Sequence, residues 1–253
     1  SLREGLVLEI GDALGQGNAA LASALAEPLH AADLADVLEQ LGPDQRIGLV
    51  QALGPEFDPE ALTYLDEFVR DGLLTALGPS EAGRALAELD TDDAIEVLSE
   101  LDEAEQAAIL AGLEPVDRIA IEEQLAYPEY SAGRLMQRDV VAVSERWTVG
   151  LAIDYLRSAV ELPETFHRLY LVGADGKLAG AVSLSQLLRS RRTVPLKSIK
   201  DAELRRIDPR TGQEEVAFVF RQYSLVEAPV TSEDGRLLGV ITVDDVVDVM
   251  EEE

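Results

Sequence analysis

The chain has no cysteine, two histidines, one tryptophan and two methionines. Without cysteine there is no disulfide, no thiolate metal ligand, no cysteine nucleophile and no iron–sulfur cluster. His30 and His167 are too few for a three-histidine zinc site, and a His-based triad would have to use one of them. Positive charge is scarce too. Lys and Arg number 21 against 49 Asp and Glu, a formal net charge of -28. Such a surface repels polyanions, which argues against nucleic acid and for cations or basic partners. No apolar run approaches the ~20 residues that span a bilayer. The opening SLREGLVLEIGDALGQG mixes charge into its apolar residues, unlike a signal peptide. The chain as given is therefore expected to be soluble. Phosphate loops, His-metal clusters and nucleophile constellations are also missing, so an enzyme is not expected. His167 precedes a strand and reads as structural or exposed.

The chain does have core material, at 47% hydrophobic residues, and a marked asymmetry. Residues 1–130 hold 29 acidic and 5 basic side chains, a net of -24. Residues 131–253 hold 20 and 16, a net of -4. Leu and Ala dominate the first part, and Val-rich runs such as Val140–Val143 and Leu169–Val172 mark the second. Tyr127–Gly133, at the seam, reads as a linker.

In the first part Leu recurs every twelve residues at 29, 41, 53, 65, 77, 89, 101, 113 and 125. Leu41-Gly-Pro-Asp44, Leu77-Gly-Pro-Ser80 and Leu89-Asp-Thr-Asp92 each close one helix and open the next, with Pro and a cap residue in the expected places. Helices this short are marginal alone and gain stability by stacking on neighbours. Residues 20–126 are thus expected to form an all-helical superhelix. Asp92 and Glu96, four apart on one helix, share a face, with Asp93 and Glu100 nearby. The residues themselves leave two readings open: a solvated acidic face, or oxygen ligands for a hard divalent cation.

The second part contains a duplication. LYLVGADGKLAGAVSLSQLL (169–188) resembles VEAPVTSEDGRLLGVITVDDVV (226–247). Asp175-Gly176 matches Asp234-Gly235, Gly180 matches Gly239 and Ser183 matches Thr242, each 59 residues apart. Upstream, the helix Thr148–Leu156 matches Gly212–Phe220 at a separation of 64, the difference being an extra loop around Glu161–Thr165. Each copy reads as extended lead-in, helix, strand, Asp-Gly turn, strand, helix. The Ser183 and Thr242 hydroxyls are placed to cap the last helix.

This duplication resembles a pair of CBS domains. That likeness implies a homodimer and an adenine-nucleotide cleft between copies. In such domains a Thr or Ser followed three residues later by Asp holds a ribose. Thr242 and Asp245 keep the pattern, whereas Ser183 and Gln186 lack the carboxylate, so a nucleotide such as ATP is expected at one cleft only. Asp245 also reads as an ordinary first-turn carboxylate favoured by the helix dipole. By position Arg168, Leu225 and Asp245 are the nucleotide contacts.

Together, LAELDTDDAIEVLSEL (86–101), YSAGRLM (130–136), TGQEEVAFVFRQYSLVEAPV (211–230) and GRLLGVITVDDVVDVMEEE (235–253) resemble the cytosolic part of MgtE-type magnesium transporters and channels. The likeness covers about 28–253 and implies a multidomain chain: an acidic all-α superhelical domain over 1–130, then an α/β tandem CBS pair over 131–200 and 201–250. Residues 251–253 would begin a connecting helix, and a dimeric transmembrane pore domain, absent here, would follow. The whole protein would then lie at the cell membrane with this part on its cytoplasmic side. The resemblance implies Mg2+ ligands at Glu60, Asp92, Glu96, Glu214, Asp245, Asp248 and Glu253. Bound ions would compact the dimer and close the pore. Arg221 and Ser224 stand where the family offers a small residue and a carboxylate, so at one site the guanidinium is expected either to displace the cation or to pair with its ligands. The competing readings are a nucleotide-binding CBS regulator of another system and a soluble adaptor using the helical domain for protein contacts.

Overall fold

The computed structural model describes residues 2–163 and 165–251. Its contacts divide the chain into two compact units, Ser1–Leu89 with Asp93–Ile121, and Asp90–Asp92 with Glu122–Glu253.

The first part is all-α. Helices α1 (Leu2–Gly15), α2 (Ala19–Ala26), α3 (Ala31–Gln40) and α4 (Pro43–Leu53) lead through two 3-10 turns to α5 (Glu67–Ala87). Then come α6 (Thr91–Glu100), α7 (Glu103–Gly112) and α8 (Pro115–Leu125). Local chemistry explains the stops. Asn18, His30, Asp66 and Asp102 accept hydrogen bonds from backbone N–H groups in the first turns of α2, α3, α5 and α7. Pro43 and Pro115 open α4 and α8, where a missing N–H costs nothing. Gly78 adopts φ 80°, ψ 163° and breaks α5 just before Pro79.

The twelve-residue leucines are buried or half-buried. Most of them sit at helix ends: Leu41 and Leu113 are the C-caps of α3 and α7, and Leu53 closes α4. The helix stripes come from other residues, including Leu34, Leu38, Leu49, Ile95, Leu98 and Ile109, all at most 4% exposed. Side-chain capping repeats as well. Arg46 Nε donates to the Leu38 carbonyl at 2.7 Å, and sixty residues on Gln106 Nε2 donates to the Leu98 carbonyl at 2.8 Å. Both add a side-chain donor to a last-turn carbonyl that otherwise accepts only a 3.3 Å bond from the N–H three residues on. Arg70, 3% exposed, is neutralised by Glu100 of α6.

The second part runs α9 (Ala132–Leu135), β1 (Ala142–Ser144), α10 (Val149–Ser158), β2 (Arg168–Val172), β3 (Leu178–Ser183) and α11 (Leu184–Arg189). It continues with α12 (Gln213–Tyr223), β4 (Glu227–Thr231), β5 (Leu237–Thr242) and α13 (Val243–Glu251). β1 pairs parallel with β2, and β2 antiparallel with β3. β4 pairs antiparallel with β5, and Ile207 adds a parallel bridge to Val230. The 59-residue offset holds throughout this register: Leu171 faces Gly180, and Val230 faces Gly239. Gly176 and Gly235 carry the turns at φ 77° and 89°, where a side chain would be strained.

The two copies exchange their lead-ins. Ala132 and Met136, just before copy one, pack in the core of copy two with Val216, Phe220 and Ile241. Leu196, Val194 and Ile199, just before copy two, pack against the core of copy one. The seam is likewise no slack linker. Arg134 Nε and Nη2 bind the carbonyls of Tyr127 and Leu125, and Ser131 is 2% exposed. A Cβ on Gly133 would stand 2.5 Å from Tyr127 Cγ, so only glycine admits this packing. Burying these backbone polar groups is possible because the segment's own side chains bind them.

Candidate functional site

Three places carry the chemistry. The first is the N-terminus of α6. Asp90, Asp92 and Asp93 each offer a carboxylate oxygen, and the three lie within 4.8 Å of one another. Like charges at that spacing favour a proton or a cation among them. Asp90 is the member that pattern reading passed over; its spacing to Asp92 and Asp93 was the available signal. Glu96 follows one turn later and is exposed. Glu60 lies elsewhere in the helical part, exposed on the turn Pro59–Leu62, where it accepts a hydrogen bond from Tyr64 Oη at 3.2 Å.

The second place is the start of α13. The Thr242 hydroxyl donates to Asp245 Oδ2 at 2.8 Å, and the Thr242 N–H reaches the same oxygen at 3.3 Å. The carboxylate thus reaches back to the residue before the helix, as in one half of a capping box. Burial pushes Asp245 up to about 6; the charge of Asp244 adds to this, and the Thr242 hydrogen bonds oppose it. In copy one Ser183 Oγ instead accepts from the Gln186 N–H at 3.2 Å, an ordinary cap. The expected hydroxyl cap therefore forms at Ser183, while at Thr242 the hydroxyl serves the carboxylate. Of the other nucleotide candidates, Arg168 opens β2 and pairs with Asp201 at 3.0 Å, and Leu225 is half-buried beside the core of copy two.

The third place is the junction of the copies. Tyr170 of β2, 1% exposed, donates its hydroxyl to Glu227 Oε1 of β4, 4% exposed, at 3.0 Å. Burial raises the Glu227 pKa, while Tyr170, His167 and Arg168 pull it down. Burial and the Glu227 charge raise that of Tyr170. No motif announced this pair.

The remaining candidates are scattered. Glu214 is exposed in the first turn of α12. Asp248 belongs to α13, but its side chain lies outside the description, and Glu253 lies outside the described residues. Arg221 is exposed in the last turn of α12, a favourable place for a cation, and makes no ion pair among the described residues. Ser224 closes α12 at φ 50°. No helix among the described residues is long and apolar enough to cross a membrane.

Comparison with known proteins places this arrangement. A model of the MgtE intracellular N domain matches residues 29–130, and one of the CBS domain matches 132–192 and 197–252. The magnesium transporter MgtE of Thermus thermophilus is 39% identical over 127 residues, 50% of this chain and 28% of that protein. MgtE of Enterococcus faecalis is 31% identical over 132 residues, 52% of this chain and 29% of that protein. The matched part thus spans less than a third of these curated relatives. Two solved structures match almost throughout. One is the soluble part of a magnesium transporter, with TM-score 0.87 and 26% identity, covering 99% of this chain and 98% of that one. The other is the cytosolic domain of the Mg2+ channel MgtE in complex with ATP, with TM-score 0.86 and 30% identity, covering 96% and 99%. These matches are to a transport family, not to an enzyme family. With an acidic helical domain, two register-matched CBS copies and this agreement in sequence and fold, the chain belongs to the MgtE family of magnesium transporters, of which it carries the N domain and the CBS pair.

Proposed function

We propose that this chain is the magnesium-sensing region of an MgtE-type transporter, on the cytoplasmic side of the membrane next to a pore domain. The observation that carries the reading is the Asp90, Asp92 and Asp93 cluster at the start of α6, within the strongly acidic stretch 1–130. Mg2+ held by Asp92, with Glu96, Glu60, Glu214, Asp245, Asp248 and Glu253 as the further candidate ligands, offsets repulsion between the helical domain and the CBS pair. The dimer compacts and the closed pore is favoured. Only affinity that differs between the two states shifts such an equilibrium, so weak carboxylate and water ligation suits the task. The homodimer is supported by exposed apolar side chains on the CBS helices, among them Leu151, Leu188, Phe218 and Val247. An adenine nucleotide occupies the cleft of Arg168, Leu225 and Asp245. The Thr242–Asp245 geometry and the ATP complex of the similar structure support this.

Small-angle scattering at zero and about 20 mM Mg2+, at constant ionic strength, tests the first claim. The radius of gyration falls, and D92A loses part of the fall; an unchanged radius overturns the reading. Calorimetry with ATP tests the second. One molecule binds per chain, and D245A abolishes binding, whereas binding that is indifferent to D245A removes the cleft assignment.

A further inference from the structure

The carboxyl ends of β1 and β2 open onto a cavity of about 380 Å3, at the opposite end of the sheet from Ser183 and the start of α11. Crevices beyond the carboxyl ends of parallel strands are common ligand sites. Trp147 and Tyr155 line it with ring centroids 5.5 Å apart and planes at 66°, the corner of an aromatic box. Glu145, half-buried, lines it as well, and its carboxylate makes no hydrogen bond or ion pair among the described residues. The chain leaves room for that carboxylate. A Cβ on Gly173 would stand 3.6 Å from Glu145 Oε1 and 2.8 Å from Asp175 Oδ1, so two acidic oxygens converge beside this glycine.

The fold does not require this chemistry. Val143 pairs with Leu171 as Ile207 pairs with Val230, so the 64- and 59-residue offsets hold here. At the equivalent places copy two has Pro209 for Glu145, Thr211 for Trp147, Val219 for Tyr155 and Ser232 for Gly173. The antiparallel strand pair and the helix form there with neither an aromatic nor an acid at these four positions, and a single bridge at Ile207 stands in place of β1.

We propose that this cavity binds a small organic cation through an alkylammonium group, with Glu145 as counter-ion and Trp147 and Tyr155 as the aromatic wall. A positive centre on a carbon skeleton gains from both a carboxylate and ring faces, and a strongly hydrated metal ion gains little from the rings. The site is separate from the magnesium reading and stands or falls without it.

Trp147 is the single tryptophan of the chain, so tryptophan emission, excited selectively over that of the six tyrosines, reports on this cavity. Choline is titrated into the full chain at constant ionic strength, beside its uncharged isostere 3,3-dimethyl-1-butanol and inorganic phosphate. The expected result is a saturable change with choline, at least about tenfold weaker with the isostere. E145Q, folded by circular dichroism, weakens choline about tenfold, and Y155L, which keeps the tryptophan, weakens it as well. A non-saturating response, equal response to the isostere or indifference to E145Q overturns the proposal. Saturation by phosphate alone would assign the cavity to an anion held by the exposed Arg146 and would also overturn it. Magnesium-induced compaction is unchanged in E145Q, which keeps the two readings distinguishable.

Discussion

Copy one and copy two of the CBS fold share strand register down to the irregularities: a shift at Leu171/Val172 in one is answered at Val230/Thr231 in the other. They part at the ends of those strands. Ser183 caps its helix in a plain way, whereas Thr242 is engaged by a half-buried carboxylate. Copy one lines a cavity with Trp147 and Tyr155, where copy two has Thr211 and Val219. β2 and β4 are buried on both faces along most of their length, so a slip in register would repack both faces at once and these positions admit little change. Cap and rim positions carry no such constraint, so the copies diverge there, and ligand chemistry is to be sought at those positions.

The largest effects test the shared core. Leu171 and Val230 hold equivalent, fully buried places. L171A is expected to cost about 3 kcal/mol in urea unfolding and V230A about 2, in proportion to the side-chain carbons removed. A reversed order would mean that the copies do not carry equal weight in the core.

The glycines facing them should separate more sharply. A Cβ on Gly239 meets the Gln137 carbonyl at 2.5 Å, and one on Gly180 meets the Lys200 side chain at 2.8 Å. Backbone cannot step aside and a lysine stem can. G239A is expected to lose about 2 kcal/mol and G180A less than about 1. Equal losses would show that the Gln137 backbone and the Lys200 side chain yield to a methyl group alike.

The bond joining the copies gives a smaller, pH-dependent effect. Y170F removes the hydroxyl donor from the buried Glu227 carboxylate and should cost about 1.5 kcal/mol. The Glu227 pKa is raised above its ordinary 4.5 by burial, so the folded state keeps the proton longer than the unfolded chain. Its contribution is therefore flat below that value, and stability falls as pH rises through the folded pKa. E227Q keeps an acceptor without the charge. It should gain about 1 kcal/mol over the parent at alkaline pH and lose that advantage in acid. Parallel pH profiles for the two proteins would show that Glu227 does not titrate in this way.

Helix caps give the smallest contrast. Thr148 accepts from the Leu151 N–H, while Gly212, its counterpart, has no side chain and nothing within 4 Å of a Cβ. T148A should lose about 1 kcal/mol and G212S gain about 0.5, read as opposite shifts in melting temperature. Shifts of the same sign would break the equivalence of the two helix starts.

Much of this architecture was legible from neighbouring residues. The Leu-Gly-Pro stops and the Asp-Gly turns are short-range signals, and the helices and hairpins follow them. The twelve-residue leucines were legible as a pattern, but their place at helix ends was not, because a buried cap and a buried stripe look alike in sequence. Of the site, the Asp92 region and the Thr242–Asp245 pair were visible as motifs. Asp90 was not singled out, and Glu227 looked like one polar residue in a strand.

By itself, then, the sequence determined two unlike halves, the helix stops and the duplication, since each depends on composition or on residues close along the chain. Only the tertiary structure decided that Ala132 and Met136 serve the core of copy two while Leu196 and Ile199 serve that of copy one. It alone joined Tyr170 to Glu227 across 57 residues and set Trp147 beside Tyr155 at a cavity mouth. The physical reason is the same in each case. Such contacts are chosen by which surfaces must be hidden from water and which polar groups must then find partners, and that choice is made by the whole packed unit rather than by any segment of it.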